Sequence, residues 1–168
     1  MVKAGAVPEW WSVAKFEIME KDESLRGIIS DYQEPPLSSK GDLFATLIKS
    51  IVGQQISVIA ASAVWGRFCD CVGEVTPESI LEKSHAQLRE VGLSNRKVEY
   101  ILGICEEWRK GLHETEWDSL SDEKVIEELV KLRGVGRWTV EMLLIFALLR
   151  KDVFPIDDIG LIRGMEKL

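Results

Sequence analysis

The sequence predicts an all-α protein, and three observations carry that prediction. No stretch alternates apolar and polar residues over the length of a strand, and the short run 152–156 is broken by Pro155. Apolar residues recur instead at helical spacing, as at Val125, Ile126, Leu129, Val130 and Leu132. Helix-start signals punctuate the chain. Thr76-Pro77-Glu78 combines a cap, Pro at the first helical position and a first-turn acid, and Ser84-x-x-Gln87 matches a capping box.

Residues 7–21 read as a first helix with more than one apolar face, supplied by Trp10, Trp11, Val13, Ala14, Phe16, Ile18 and Met19. Asp22 is placed to cap a second, running through Ile29. Residues 32–42 form the clearest loop, with Pro35-Pro36 and Gly41. "LFATLIKSIV" then reads as a buried helix. Val52-Gly53-Gln54-Gln55-Ile56-Ser57 leads into a small-residue helix, 57–68, suited to close packing. Paired Gln at such a place serve equally to cap a helix start. Gly92-Leu93-Ser94 turns into a helix whose first turn holds Arg96 and Lys97, either phosphate contacts or plain surface charges.

The most informative stretch is 132–163, "LRGVGRWTVEMLLIFALLRKDVFPIDDIGLIR". Helix 125–132 ends at Gly134, where glycine takes a positive φ without steric cost. A nearly wholly apolar second helix runs from Arg137 to Arg150. Between them Gly134-Val135-Gly136 leaves the main chain bare, and amides at the second helix's N-terminus form an anion site. Carbonyls of the same turn, those of Val130, Leu132 and Val135, can hold a monovalent cation. A bare G-x-G is more often an ordinary corner between helices. An Asp pair such as Asp157-Asp158 is more often a helix N-cap with a first-turn acid.

Composition sets outer bounds. At 168 residues the chain has room for one or two small domains with a real core. With 46% hydrophobic and 29% charged residues it describes an ordinary globule, and no apolar run reaches membrane-spanning length. The start of the chain lacks the pattern of a signal peptide. The odd count of three cysteines, Cys69, Cys71 and Cys105, gives no disulfide framework and suggests a reducing compartment. The net charge of −7 argues against broad nonspecific DNA affinity. Its distribution softens the objection: residues 131–168 hold seven basic and five acidic side chains, so the first 130 carry −9. The acid is concentrated in 105–128, a solvated face in this reading, and a basic rim suffices where main-chain amides grip phosphate.

The string Leu132-x-Gly134-Val135-Gly136-x-x-Thr139 resembles the hairpin of the helix–hairpin–helix DNA glycosylase superfamily, with Val140 where that pattern has Ala. "FPIDDIGLIRG" resembles the segment that carries the essential Asp in the alkylation-repair branch, 3-methyladenine DNA glycosylase II. The resemblance implies a catalytic Asp158, with Asp157 as cap or structural partner. It implies a phosphate-binding hairpin of Arg133, Gly134, Val135, Gly136, Arg137 and Thr139, and a further phosphate contact at Lys97. Gln55 is implied as the wedge that enters the duplex and Gln54 as a pocket residue, with the two roles interchangeable at this level. Lyase-competent members carry Lys where this chain has Trp138, so the resemblance implies base removal without strand cleavage, and Trp138 then lines the base pocket. An indole face suits a cationic, alkylated purine.

The resemblance further implies two helical subdomains around a cleft: residues 1–41 in the terminal subdomain, 42–152 as the central domain with the hairpin at 125–150, and 153–168 as the Asp loop and the start of a C-terminal helix. Family members continue for several helices past this Asp, so C-terminal helices look missing. The expected partner is double-stranded DNA with a damaged base, without membrane, and the chain is expected as a monomer, or as a dimer or partner-completed protein if truncated. No iron–sulfur cluster or other cofactor is expected, apart from sodium or potassium at the hairpin. A cytoplasmic, nucleoid-associated setting follows, or a nuclear one in a eukaryote. Two other readings stay open: a non-catalytic helix–hairpin–helix DNA-binding module, and a glycosylase for deaminated or mismatched bases.

Overall fold

The computed structural model describes residues 3–32 and 34–168, and among them every regular element is helical. The order is α1 (Trp11–Lys21), α2 (Glu23–Asp31), α3 (Leu43–Gly53), α4 (Val58–Val72), α5 (Pro77–Leu81), α6 (His85–Glu90), α7 (Asn95–Lys110), α8 (Asp122–Leu129), α9 (Arg137–Phe146) and α10 (Ile159–Met165). Two 3₁₀ turns, Leu112–Glu114 and Trp117–Ser119, separate α7 from α8. Met1 and Val2 of the N-terminal segment, and Gln33 of the predicted loop, lie outside the described residues.

Most helices begin where a side chain supplies the acceptor that a first turn lacks. Asp22, Asp42, Ser57, Ser94, Ser121 and Asp158 each accept from the amide three residues on. The Ser84–Gln87 capping box closes in both directions, at 3.2 and 2.8 Å. Thr76 forms a second box with Ser79.

The core is built around α3. Its Leu43, Phe44, Leu47, Ile48, Ile51 and Val52 are all buried, and it packs against α4, α7 and α9. Trp117, in the second 3₁₀ turn, stacks on Trp108 of α7, which in turn meets Phe44. These turns lie in the acid-rich stretch, whose Glu106, Glu107, Glu114, Glu116, Glu123 and Glu127 face solvent as expected. Helices α1 and α2 pack on each other and bury no residue fully, leaving Val13 and Phe16 exposed.

Three helix ends fall short of the sequence reading, each for a local reason, while α2 and α4 run on to Asp31 and Val72 and α8 begins earlier, at Asp122. The first helix starts at Trp11 rather than Val7, because Pro8 precedes it in a turn whose carbonyl accepts from the Trp11 amide at 3.0 Å. Helix α8 stops at Leu129, and the next residues already belong to the turn, with the Leu132 amide donating to Leu129 at 3.1 Å. Helix α9 stops at Phe146, four residues early. Its last carbonyls are claimed from elsewhere: Phe146 accepts from the Lys40 amide at 2.7 Å, and Ala147 from Ser39 Oγ at 3.0 Å. Leu149 accepts from Trp10 Nε1 at 3.3 Å and takes a left-handed φ of 53°. Apolar periodicity cannot report this, since residues 147–149 stay buried after the helix has ended. Arg150 secures the exit, donating to the carbonyls of Trp117, Asp118 and Leu120.

Because Leu47 is fully buried in α3, the helix that packs on α4, α7 and α9, Leu47→Ala is expected to cost about 2–5 kcal/mol. Urea unfolding would read this as a lower midpoint at unchanged slope.

Candidate functional site

The loop joining α3 to α4 faces the N-terminus of α9 across a cleft of about 670 Å³. Gly53, Gln54, Gln55 and Ile56 line one side, and Gly136, Trp138 and Thr139 the other. The predicted wedge loop, pocket Trp and hairpin are therefore brought together.

In the hairpin the two glycines do different jobs. Gly134 has φ of 90°, and a Cβ there would lie 2.2 Å from the ring of Tyr100, so the position excludes any side chain. Gly136 is the N-cap of α9 with an extended backbone, no side-chain cap, and open space where its Cβ would be. The first amides of α9 thus begin an uncapped helix behind a bare surface, which suits an anion. Val135 is buried and its amide donates to Leu132 at 3.1 Å, so it anchors the turn and does not offer an outward N–H. Thr139 is also buried, on the cleft side.

Both hairpin arginines have protein partners. Arg137 Nε bonds Glu141 Oε1 at 2.9 Å, one turn along α9, and Glu141 is itself buried. Arg133 lies 3.5 Å from Glu99 and over the Tyr100 ring. Tyr100, Glu99 and Glu141 were not singled out by the sequence reading. The i, i+4 spacing of Arg137 and Glu141 was a usable signal, since a lone acid in an otherwise apolar helix needs a partner. Tyr100 gave no such signal.

Two bonds fasten the loop between α3 and α4. Gln54 Nε2 donates to the Gly134 carbonyl at 3.0 Å, tying the loop to the hairpin. Lys97 Nζ donates to the Val52 carbonyl at 2.7 Å, in the last turn of α3. Lys97, expected at phosphate, is thus partly buried and engaged inside the protein, and burial draws its ammonium below the usual lysine range. Gln55 is exposed and held in a left-handed conformation with φ of 58°, which is uncommon for a residue other than glycine. The two glutamines are thereby distinguished: Gln54 is an internal brace at the cleft wall, and Gln55 projects.

The acidic pair divides the other way from the expectation for Asp157. Asp158 itself caps α10, its Oδ1 accepting from the Leu161 amide at 2.8 Å. Asp157 is exposed and makes no cap, because the helix begins one residue later than a cap at 157 requires. The second oxygen of Asp158 accepts from Trp138 Nε1 at 2.9 Å. The Leu161 amide and the indole hold this carboxyl below its ordinary 3.8. Trp138 lines the cleft and remains two-fifths exposed, while its indole N–H is committed to Asp158. The cation expected at the hairpin would draw on a turn where Leu132 O already accepts from the Val135 amide.

Gly134→Ala is expected to destabilise by about 2–5 kcal/mol, from left-handed strain and overpacking against Tyr100. Adding Tyr100→Ala should recover the packing part but not the strain part. A double-mutant cycle on melting measures both, and strict additivity would contradict the contact.

Comparison with known proteins places these features. Residues 48–168 match the family described as the HhH-GPD superfamily of base excision DNA repair proteins. The chain is 36% identical over 146 residues to DNA-3-methyladenine glycosylase 1 of Schizosaccharomyces pombe, covering 84% of this chain and 64% of that one. A solved S. pombe 3-methyladenine DNA glycosylase in complex with abasic DNA superposes with a TM-score of 0.82 at 35% identity, covering 91% of this chain and 78% of that one. A DNA-3-methyladenine glycosidase from Bacillus halodurans gives 0.78 at 38% identity, covering 90% and 72%. The chain spans between about half and two thirds of the length of curated relatives such as these. By the extent of the family match and the identity of its relatives, this chain belongs to the HhH-GPD superfamily of base excision DNA repair proteins.

Proposed function

We propose that the protein is a monofunctional DNA glycosylase that hydrolyses the N-glycosidic bond of alkylated purines, of the 3-methyladenine and 7-methylguanine class, in double-stranded DNA. The observation that carries this reading is the Trp138–Asp158 pair: a half-exposed indole that lines the cleft, bonded to a carboxylate held in its charged form. The names of the relatives support the substrate class, since they are 3-methyladenine glycosylases.

In this reading the amides at the start of α9 grip a phosphate that flanks the lesion, with Gly136 leaving room for close approach. Gln55 fills the gap left in the stack as the damaged nucleotide turns out. Extrusion costs a few kcal/mol, less for a base that stacks and pairs poorly. The extruded base carries positive charge from its alkyl group and stacks on Trp138 by cation–π attraction. The carbonyl oxygens of Val130, Leu132 and Val135 suit a monovalent cation, which would add a positive charge near the phosphate.

An N3- or N7-alkylated purine is already cationic, so it needs little general-acid help to leave. As the C1′–N bond breaks, its electron pair passes to the base, which departs neutral, and positive charge develops on the sugar. A carboxylate has about four lone-pair sites. At Asp158 two are used by Leu161 and Trp138, which leaves capacity to face the oxocarbenium-like sugar and to orient a water. The water oxygen bonds C1′, and its proton passes to the carboxylate or to solvent. Trp138 stands where a Schiff-base Lys would be needed for strand cleavage, and an indole nitrogen cannot supply that chemistry.

Asp158→Asn tests the assignment, because Asn is an equally good N-cap and α10 should survive the change. Base release from DNA treated with a methylating agent should vanish while binding to duplex holds; release near the wild-type rate would remove Asp158 from the chemistry. The pH dependence carries a sign. A depressed pKa keeps the carboxylate charged well into acid, and the stability this contributes is lost only as pH falls through the folded value. The release rate should therefore show no acid limb from this group above about pH 4.

A further inference from the structure

Helix α7 touches both halves of the site from one face. Lys97 and Tyr100 stand three residues apart, so their side chains share a side of the helix. Lys97 reaches the end of α3 at the Val52 carbonyl. Tyr100 lies under Gly134, and its neighbour Glu99 pairs with Arg133 of the hairpin. The Gln54–Gly134 bond closes the loop between the two.

The Val52 carbonyl needs a partner of its own. It belongs to the last turn of α3, where carbonyls have lost their helical donors. The chain then leaves at Gln54 and turns into the left-handed residue Gln55. A cation at a helix C-terminus is favourable both as donor and as charge. Lys97 supplies that donor from another helix, and so ties the direction of the exiting chain to α7. A lysine serving phosphate would instead extend freely into solvent, as the neighbouring Arg96 does in its exposed position.

We propose that Lys97 is a positioning residue: by capping α3 through the Val52 carbonyl, it sets where Gln55 stands relative to the hairpin and hence how well a damaged base is extruded. This rests on the reading of Gln55 as the wedge. Lys97 does not line the cleft and is committed to the Val52 carbonyl, so its effect falls on extrusion and not on the grip of the hairpin. The device predicts a specific imbalance, in which base release suffers while binding to DNA that needs no extrusion is spared.

The test uses the full chain with Lys97→Met, which keeps the apolar stem, and Lys97→Arg, which restores a donor. One duplex carries a single 7-methylguanine, a second the same lesion beside 2-aminopurine as a reporter of unstacking, and a third a tetrahydrofuran abasic analogue. Lys97→Met should lower single-turnover release by about ten-fold or more and shrink the 2-aminopurine fluorescence rise. Affinity for the abasic analogue should change less than about three-fold, with melting unchanged, and Lys97→Arg should regain most of the loss. Release and fluorescence at wild-type levels in Lys97→Met would overturn the proposal. So would a proportionate loss of affinity with a salt slope shallower by about one, which marks a phosphate contact. A melting decrease large enough to account for the loss assigns Lys97 to stability alone and overturns it too. If the wild-type chain releases no base, the enzyme reading fails separately, and the fluorescence arm still decides whether Lys97 governs extrusion. A wild-type chain that gives no fluorescence rise removes the wedge and this proposal with it.

Discussion

The absence of a side chain at position 134 is the constraint on which the site depends. Only a residue without Cβ allows the hairpin main chain to rest on the Tyr100 ring, and only there does the Gly134 carbonyl meet the Gln54 amide. Three segments distant in sequence, the α3–α4 loop, the first turns of α7 and the α8–α9 turn, are drawn together at that point. Ridges and grooves between helices would leave such a corner loosely specified. A glycine pressed on an aromatic ring specifies it more narrowly, because no other residue fits there.

The electrostatics of the hairpin run through backbone more than side chains. Arg133 and Arg137 are each balanced by a carboxylate, Glu99 and Glu141. What remains outward is the uncapped start of α9 behind Gly136. On the proposed reading of this turn as a phosphate grip, a net charge of −7 is compatible with membership of a DNA repair superfamily. A main-chain donor array carries no net charge yet presents a local positive potential. It needs no excess of lysine or arginine, and the acidic helices can face solvent elsewhere.

Much of this was legible in the residues, and the gaps have physical causes. Caps at Asp22, Thr76 and Ser84 could be read directly, because capping is decided within four residues. The hairpin glycines and Trp138 could be read because few residue types satisfy those positions. The end of α9 could not, since residues 147–149 stay apolar and buried while long-range donors from Ser39, Lys40 and Trp10 take its carbonyls. Lys97 was read as a phosphate contact because its partner, the Val52 carbonyl, lies 45 residues away in the chain. The division of labour between Gln54 and Gln55 needed the backbone angle at 55 and the bond to Gly134. The part played by Asp158 as cap was hidden by its neighbour, since either acid of the pair fits the pattern.

Asp158 serves two masters with one carboxylate: it starts α10 and it accepts from Trp138, which lines the cleft. Helix α10 has only seven residues and buries none of them, so little besides that cap holds it in register. Segments of this kind open locally at a small fraction of the global unfolding free energy. Each such fraying event would swing the charge out of place while the rest of the molecule stays intact. Loosening of this short helix would disturb the bond between Asp158 and Trp138 before it disturbs the core around α3.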